Sequence, residues 1–313
     1  VQIYCLISLT ISLLDAILNN ANVNFNQDNI WLLNLSLAII MFGVALDLKL
    51  EDFKLLAVHP KPLIIGFLSQ FILLPALTFL LVSLLKPPAS IALGMFLVAA
   101  CPGGNISNFI TKLAHGNTAL SISLTAFSTL LAMFLTPFNF ELWSHLYAPT
   151  SVIIKSIALN PYELFMVIAL ILGVPLILGM TTNKYLPKST ILIVKPLKII
   201  SLGIFICFVA VAIISNFEAL KQFVFKVILI VIVHNLLAIL TGYFSAKIFN
   251  LSQQNQRTLA IETGIQNSGL GLLIIFTFFK GLGGMALIAA TWGIWHIISG
   301  LALGLFWANK KIV

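Results

Sequence analysis

The sequence predicts an all-α polytopic membrane protein with ten transmembrane helices in two five-helix inverted repeats, two of the helices, spans 4 and 9, being broken. Three observations predict it. The chain of 313 residues is 60% hydrophobic and 8% charged, with a mean hydropathy of +1.10, more apolar surface than a soluble domain can hide. Its apolar residues fall into ten runs near the ~20 residues that cross a bilayer. Two of these runs are interrupted at mid-span by glycine, proline and polar side chains, and broken backbone at membrane depth lines cavities, not lipid.

The runs follow in order. Residues 3–18 form the first span: the segment has no basic n-region and no good small-residue cleavage site, which favours a membrane helix over a signal peptide. A polar loop (19–28) leads to span 2 (30–46). Residues 47–61 are a charged connection with a short interfacial helix. Span 3 (62–85) carries Gln70 and Pro75 in its interior. Span 4 (91–114) is broken at Pro102, Gly103 and Gly104, and the turn His115-Gly116-Asn117 leads to span 5 (118–138). Residues 1–138 are thus the first repeat, and 139–161 a connection with a partial interfacial helix. The second repeat, 162–313, holds spans 163–180, 196–214, 223–249, 257–279 and 284–308. Five is odd, so the second repeat enters the membrane with opposite orientation, and each repeat has its broken helix fourth. Paired interruptions at matching positions point to a transporter's binding site.

Charge sets the orientation. Of 17 Lys and Arg, only Lys86, Lys155, Lys221, Lys226 and Lys280 fall on the side opposite the termini, so both termini are expected in the cytoplasm. The net charge of +8 is spread over loops and helix ends without a cluster, which suits a membrane surface and not nucleic acid. Cys5, Cys101 and Cys207 lie inside apolar runs, with neither disulfide nor metal spacing. Gly103 and Gly104 make no phosphate loop, because no Gly-Lys-Ser/Thr follows. No serine has a base at a workable spacing, so the chain is not expected to be an enzyme.

The chemistry lies at the two breaks. Of 9 acidic residues, Glu262 alone sits within an apolar run with other polar groups around it, and an intramembrane carboxylate is a functional-site hypothesis by default. It must be neutralised, paired or given several hydrogen-bond donors. No Lys or Arg lies at mid-span, which leaves a bound cation or a proton. The neighbours favour the cation. Ser107 and Asn108 follow the first break, and Ser121 and Thr125, four apart, share one helix face; they offer the neutral oxygens that hard cations take. One carboxylate with amide and hydroxyl oxygens suits a monovalent ion, sodium. The carbonyls of Thr263 and Ile265, freed by the break, with Gln266 and Gln70, make a second oxygen set that shares Glu262. The plainer alternative is interhelical hydrogen bonding, common for Ser and Thr in membranes. The restarted half-helices begin near Asn105 and Asn267 and present N–H groups and positive dipole ends, which attract an anionic group. Each Asn has a capping role open to it as well. His234 and His296 are expected to be packed, hydrogen-bonded histidines.

The stretches CPGGNISN from Cys101 to Asn108 and ETGIQNSGLG from Glu262 to Gly271, with Trp295 and His296, resemble the bile acid:sodium symporter family in its bacterial branch. The similarity runs through nearly the whole chain. The resemblance implies a ten-helix fold with a panel domain (spans 1, 2, 6 and 7) and a core domain (spans 3 to 5 and 8 to 10) in which spans 4 and 9 cross. It implies two sodium sites, one using Ser107, Asn108, Ser121, Thr125 and Glu262, the other Gln70, Glu262, Thr263, Ile265 and Gln266. Substrate would sit between panel and core against Asn105, Asn267 and His296. Asn105 and Ile106 stand where the family carries a small hydroxyl residue and alanine, and Ile297 where it carries asparagine. These departures touch the substrate side, and the family includes carriers of smaller organic anions such as pantoate and keto acids.

The expected function is sodium-coupled symport of an organic anion by alternating access, with two sodium ions as coupling ions, no cofactor, and a monomer as the working unit in a bacterial inner membrane. The alternatives are a proton-coupled carrier in which Glu262 titrates, and a channel or receptor.

Overall fold

The structure, a computed structural model, describes residues 30–46, 60–157, 161–188, 190, 192–194, 196–197, 199–200, 203 and 224–310. The expected first span, the loop at 19–28, the connection at 47–59 and most of the seventh span lie outside the described residues. The described residues form helices and, beyond them, one isolated β-bridge. Five helices, Pro60–Leu85, Thr118–Leu146, Phe165–Tyr185, Val227–Ile248 and Gly283–Ala308, are long and apolar enough to cross a membrane. The chain is therefore a multi-pass membrane protein. Its outer faces bear Ile64, Leu84, Phe138, Ile177, Leu229 and Ile294, all exposed, as side chains facing lipid must be when the solvent is itself apolar.

In chain order, α1 is Ile30–Ala45 and α2 is Pro60–Leu85, the second and third expected spans. The broken fourth span gives α3, Ala89–Ala100, and α4, Ile106–Leu113. Next come α5, Thr118–Leu146, and α6, Ala148–Ile157. The expected sixth span is α7, built from Pro161–Ile168, Ala169–Gly173 and Val174–Tyr185. The expected eighth is α8, Val224–Ile248. The expected ninth, broken, gives α9, Gln253–Gly264, and α10, Ser268–Phe278, and the expected tenth is α11, Gly283–Ala308.

One expected boundary changes, and two helices are wound unexpectedly. Helix α5 runs past the expected end at Phe138 to Leu146, through Pro137, and α6 follows after the bend at Tyr147. Residues 139–146 look like a connection because Asn139, Glu141, Ser144 and His145 lower the hydropathy. They are helical because these groups bond within the helix: Trp143 Nε1 donates to Asn139 Oδ1 at 3.2 Å, and Asn139 Nδ2 to the Leu135 carbonyl at 3.1 Å. Helices α2 and α7 also each contain a π turn, Ser69–Leu73 and Ala169–Gly173, just ahead of Pro75 and Pro175. Proline lacks the N–H that an α-helix would use, and a wider turn before it absorbs the mismatch.

Short broken helices demand an interior position. All 12 residues of α3 are buried, and so are most of α10 and the stretch of α9 from Arg257 to Gly264. Helix α11 packs on α3 through small residues, since a Cβ on Gly94 would lie 2.9 Å from Ile288 Cβ; such contacts let membrane helices approach closely. On the far side α1 packs against α7, where Gly179 faces Ala45.

Candidate functional site

The two breaks meet backbone to backbone. Gly103 and Gln266 form an antiparallel bridge. The Gly104 N–H donates to the Ile265 carbonyl at 2.7 Å, and the Asn267 N–H to the Pro102 carbonyl at 2.8 Å. These two bonds are reciprocal, each running from the residue after one bridge partner to the residue before the other. The crossing thus has a local two-fold. Unwound backbone at this depth must find partners in protein, and here each break supplies the other. The approach leaves no room for side chains: a Cβ on Gly103 would lie 2.7 Å from Glu262 Oε1, and one on Gly104 3.0 Å from the Gln266 carbonyl oxygen.

Glu262 sits near the end of α9, 5% exposed. Three hydroxyls from two other helices converge on it. Ser107 Oγ of α4 donates to Oε2 at 2.6 Å, Ser121 Oγ of α5 to Oε2 at 2.9 Å, and Thr125 Oγ1 of α5 to Oε1 at 2.5 Å. Asn108 Oδ1 lies 3.4 Å from Thr125 Oγ1. The first expected ion set, Ser107, Asn108, Ser121, Thr125 and Glu262, is therefore brought together around one carboxylate. No cationic side chain faces it among the described residues. A hydroxyl carries two acceptor lone pairs besides its proton and can rotate, so the same three oxygens can serve a carboxylate or a cation.

The second set gathers around Gln70 and Gln266. The π turn of α2 points Gln70 at the crossing, where its Nε2 donates to the Cys101 carbonyl at 2.9 Å and to Gln266 Oε1 at 2.8 Å. Gln266 Nε2 donates to the Thr263 carbonyl at 2.7 Å. The Ile265 carbonyl accepts from Gly104. A cavity of about 10 Å³, lined by Gln70, Ser128 and Glu262 with Gly66, Phe67, Leu124 and Phe127, opens beside Gln70 and Glu262. That is the room one water needs.

The candidate substrate residues are placed less tightly. Asn105 and Asn267 are both half-buried at the starts of α4 and α10. Asn267 caps α10, its Oδ1 accepting from the Leu270 N–H at 3.1 Å, while Asn105 makes no side-chain cap. Asn267 thus keeps its two amide protons free of the capping bond. His296 lies buried on the inner face of α11, between Gly293, which faces Ser268, and Gly300, which faces Ile265. Its Nδ1 has no partner among the described residues. His234 is a packed histidine, with Nε2 2.8 Å from Thr78 Oγ1 and its ring edge-on to Trp292.

Sequence reasoning missed the side chains that satisfy the broken ends. The last carbonyls of a helix have no internal donor. Thr136 of α5 donates to the Ala100 carbonyl at 2.8 Å, Asn235 of α8 to the Gly264 carbonyl at 2.7 Å, and Arg257 to the carbonyls of Ala114, Trp307 and Lys310. A mid-span asparagine was the available signal for Asn235. Arg257, the chain's one arginine, is buried at 6% exposed with helix ends α4 and α11 supplying the negative pole it lies against.

Comparison with known proteins adds an independent line. Residues 34–223 match the model of the Sodium Bile acid symporter family. The chain is 36% identical over 274 residues, 88% of its length and 82% of the relative's, to an uncharacterized sodium-dependent transporter, YocS, of Bacillus subtilis (strain 168). It is 30% identical over 283 residues to a probable sodium/metabolite cotransporter, BASS2, chloroplastic, of Oryza sativa subsp. japonica, covering 90% of this chain and 65% of that protein. It is 29% identical over 261 residues to the P3 protein of Homo sapiens, covering 80% of this chain and 52% of that protein.

Proposed function

This chain belongs to the Sodium Bile acid symporter family, whose members are transporters and not enzymes, and from that premise we propose that it carries an organic anion across the membrane together with sodium, by alternating access. The observation that carries the proposal is the Glu262 carboxylate, held by three neutral hydroxyls from α4 and α5 and bordered by a cavity of about 10 Å³. One negative charge among neutral oxygens at membrane depth is matched by one monovalent cation. Each hydroxyl that donates to the carboxylate keeps lone pairs for a cation, so all three oxygens can join an ion shared with Glu262.

Sodium in the first set is held by Ser107, Asn108, Ser121, Thr125 and Glu262, and in the second by Gln70, Glu262, Gln266 and the carbonyls of Thr263 and Ile265. Ser107 lies in the first turn of α4, Thr263 in the last turn of α9, and Gln266 in the break before α10. Ions at these points therefore fix the starts of both half-helices. The anion binds at those starts, against the N–H groups and the amides of Asn105 and Asn267, with His296 beside them. Because ion and anion favour the same geometry, each raises the affinity for the other by the same factor. The anion is a bile acid or a smaller carboxylate such as pantoate or a keto acid. The reciprocal bonds around Gly103 and Gln266 support ten spans in two inverted repeats. The packing of α1 on α7 supports a panel distinct from the core. The protein works as a monomer in a bacterial inner membrane with both termini cytoplasmic.

The test is a thermal shift of purified protein in NaCl and in KCl at equal ionic strength, with bile acid, pantoate and short keto acids added in turn. Sodium is expected to raise the melting temperature, with one anion adding to the shift in sodium alone. At 100 times its dissociation constant a ligand contributes about 2.7 kcal/mol. Glu262→Gln is expected to lose the sodium response. Sodium and potassium shifts that cannot be told apart, with uptake following a pH gradient, would sink the proposal in favour of proton coupling.

A further inference from the structure

Asn235 belongs to neither ion set, yet its side chain is fixed from both sides. Its Nδ2 donates to the Gly264 carbonyl at 2.7 Å, and its Oδ1 accepts from Ser299 Oγ of α11 at 2.6 Å. A carbonyl can only accept, so the NH₂ must face Gly264 and the oxygen must face Ser299. Asn235 is 1% exposed. Ser299 stands one turn beyond His296, whose carbonyl lies 3.2 Å from the same hydroxyl.

Gly264 ends α9, and three successive carbonyls there go to three different partners. Thr263 accepts from Gln266 Nε2, Gly264 from Asn235 of α8, and Ile265 from Gly104 of the other break. Peptide groups are planar, so tying down the Gly264 carbonyl fixes the plane that joins Gly264 to Ile265. The peptides on either side, which carry the Thr263 and Ile265 carbonyls, are then left to turn only about the φ and ψ of Gly264 and Ile265, and their own bonds to Gln266 Nε2 and Gly104 N–H limit that turn. The helix that carries Asn235 cannot drift: on the same face, Ile239 Cγ1 lies 2.5 Å from where a Cβ on Gly264 would stand, and Gly242 lies against the Leu259 carbonyl.

The same device recurs across the local two-fold. Gln70 of α2 donates to the carbonyl of Cys101, two residues before Gly103, as Asn235 of α8 donates to that of Gly264, two residues before Gln266. Each break has one amide side chain from a neighbouring helix holding the corresponding carbonyl.

The geometry points to Asn235, oriented by Ser299, as a positioning residue that aims the Thr263 and Ile265 carbonyls for sodium and ties the ion site to α11 beside His296. This rests on the sodium reading proposed above. Neither Asn235 nor Ser299 touches the ion.

The experiment is a NaCl titration of the full-length purified protein, with KCl holding ionic strength constant, read as the sodium concentration that gives half the thermal shift. The melting temperature in KCl alone is recorded beside it. Asn235→Ala is expected to raise the half-saturating sodium concentration roughly ten-fold or more, the usual scale for groups that orient metal ligands. Ser299→Ala is expected to raise it by less, Ser299→Thr to keep it near wild type, and the double alanine variant to be no worse than Asn235→Ala alone. A melting temperature that falls in KCl while half-saturation stays at the wild-type value shows a packing role only, and overturns the inference. If Asn235→Ala does not fold, the Ser299→Ala and Ser299→Thr pair decides: equal half-saturation overturns it. A wild-type protein blind to sodium overturns the sodium reading itself, which is a separate result because it appears before any variant is made.

Discussion

At Gly103 the backbone passes close against the Glu262 carboxylate. Any Cβ there would stand 2.7 Å from Glu262 Oε1 and 3.4 Å from the Glu262 carbonyl oxygen, so Gly103→Ala must either push the carboxylate away from Thr125 or open the bridge to Gln266. A forced insertion of this kind costs about 1–3 kcal/mol, and here it also removes the ion geometry. The expected outcome is a lower melting temperature with no separate sodium stabilisation. Gly271→Ala is the contrast: its Cβ would meet nothing nearer than Cys101 Sγ at 3.8 Å, and the change is expected to be neutral or stabilising by up to about 1 kcal/mol. Equal loss in the two variants would refute the argument. At this scale much of the site was legible in the sequence. Ser121 and Thr125 announce a shared face by their spacing, and Glu262 announces itself as a carboxylate without a mid-span cation. The partners of Asn235 and Thr136 were not legible, because each bonds a backbone carbonyl on another helix, 29 and 36 residues away, and even a mid-span asparagine does not say in sequence which carbonyl it meets.

Helix α2 shows why an element's exact winding matters to the site. Gln70 lies within the π turn Ser69–Leu73, in which the Leu74 N–H reaches back to the Ser69 carbonyl. That extra residue in the turn rotates Gln70 onto the crossing, and Pro75 removes the N–H that would pull the turn back to α-helical winding. Pro75→Ala restores the donor and is expected to raise half-saturating sodium roughly ten-fold, by disturbing a group that orients the ligands. Pro175→Ala relaxes the matching turn of α7, which carries no ion-set residue, and is expected to leave sodium binding unchanged. Sodium titration of both variants checks this; identical behaviour would mean the winding is irrelevant to the ion. Apolar run length placed α1, α2, α5, α7, α8 and α11, and glycine and amide content placed both breaks. The π turns were beyond reach, because one extra residue within a turn changes neither the length nor the apolar content of the run. The end of α5 was misplaced for a related reason, since Asn139, Ser144 and their neighbours meet their polar needs inside the helix and only their hydropathy looks like a loop.

At the scale of the molecule, the proposed alternating access requires that some contacts slide while others persist. Helix α1 meets α7 through Gly179 and Ala45, a tight backbone approach suited to one rigid unit. Helices α2 to α5 and α8 to α11 are bound to each other through the crossing, Glu262, Gln70 and Asn235, and these polar bonds would be costly to break in a membrane interior. Between the two groups the contacts of α5 with α7 are of another kind: Met133 against Gly173, and Phe134 against Phe165 with ring centroids 5.2 Å apart. Apolar side chains without hydrogen bonds can slide at little cost, so the moving boundary that the proposal requires is expected at this seam. A cross-link there should arrest transport and spare ion binding. In a background with Cys5, Cys101 and Cys207 replaced by alanine, Met133→Cys with Gly173→Cys is expected to form an oxidised link that stops sodium-driven uptake in proteoliposomes. Reductant should restore the uptake, and the sodium thermal shift should persist in both states. Full uptake with the link closed would place the moving boundary elsewhere. Loss of the sodium shift on oxidation would mean that the seam and the crossing are one mechanical unit, and that the division into two bodies is wrong.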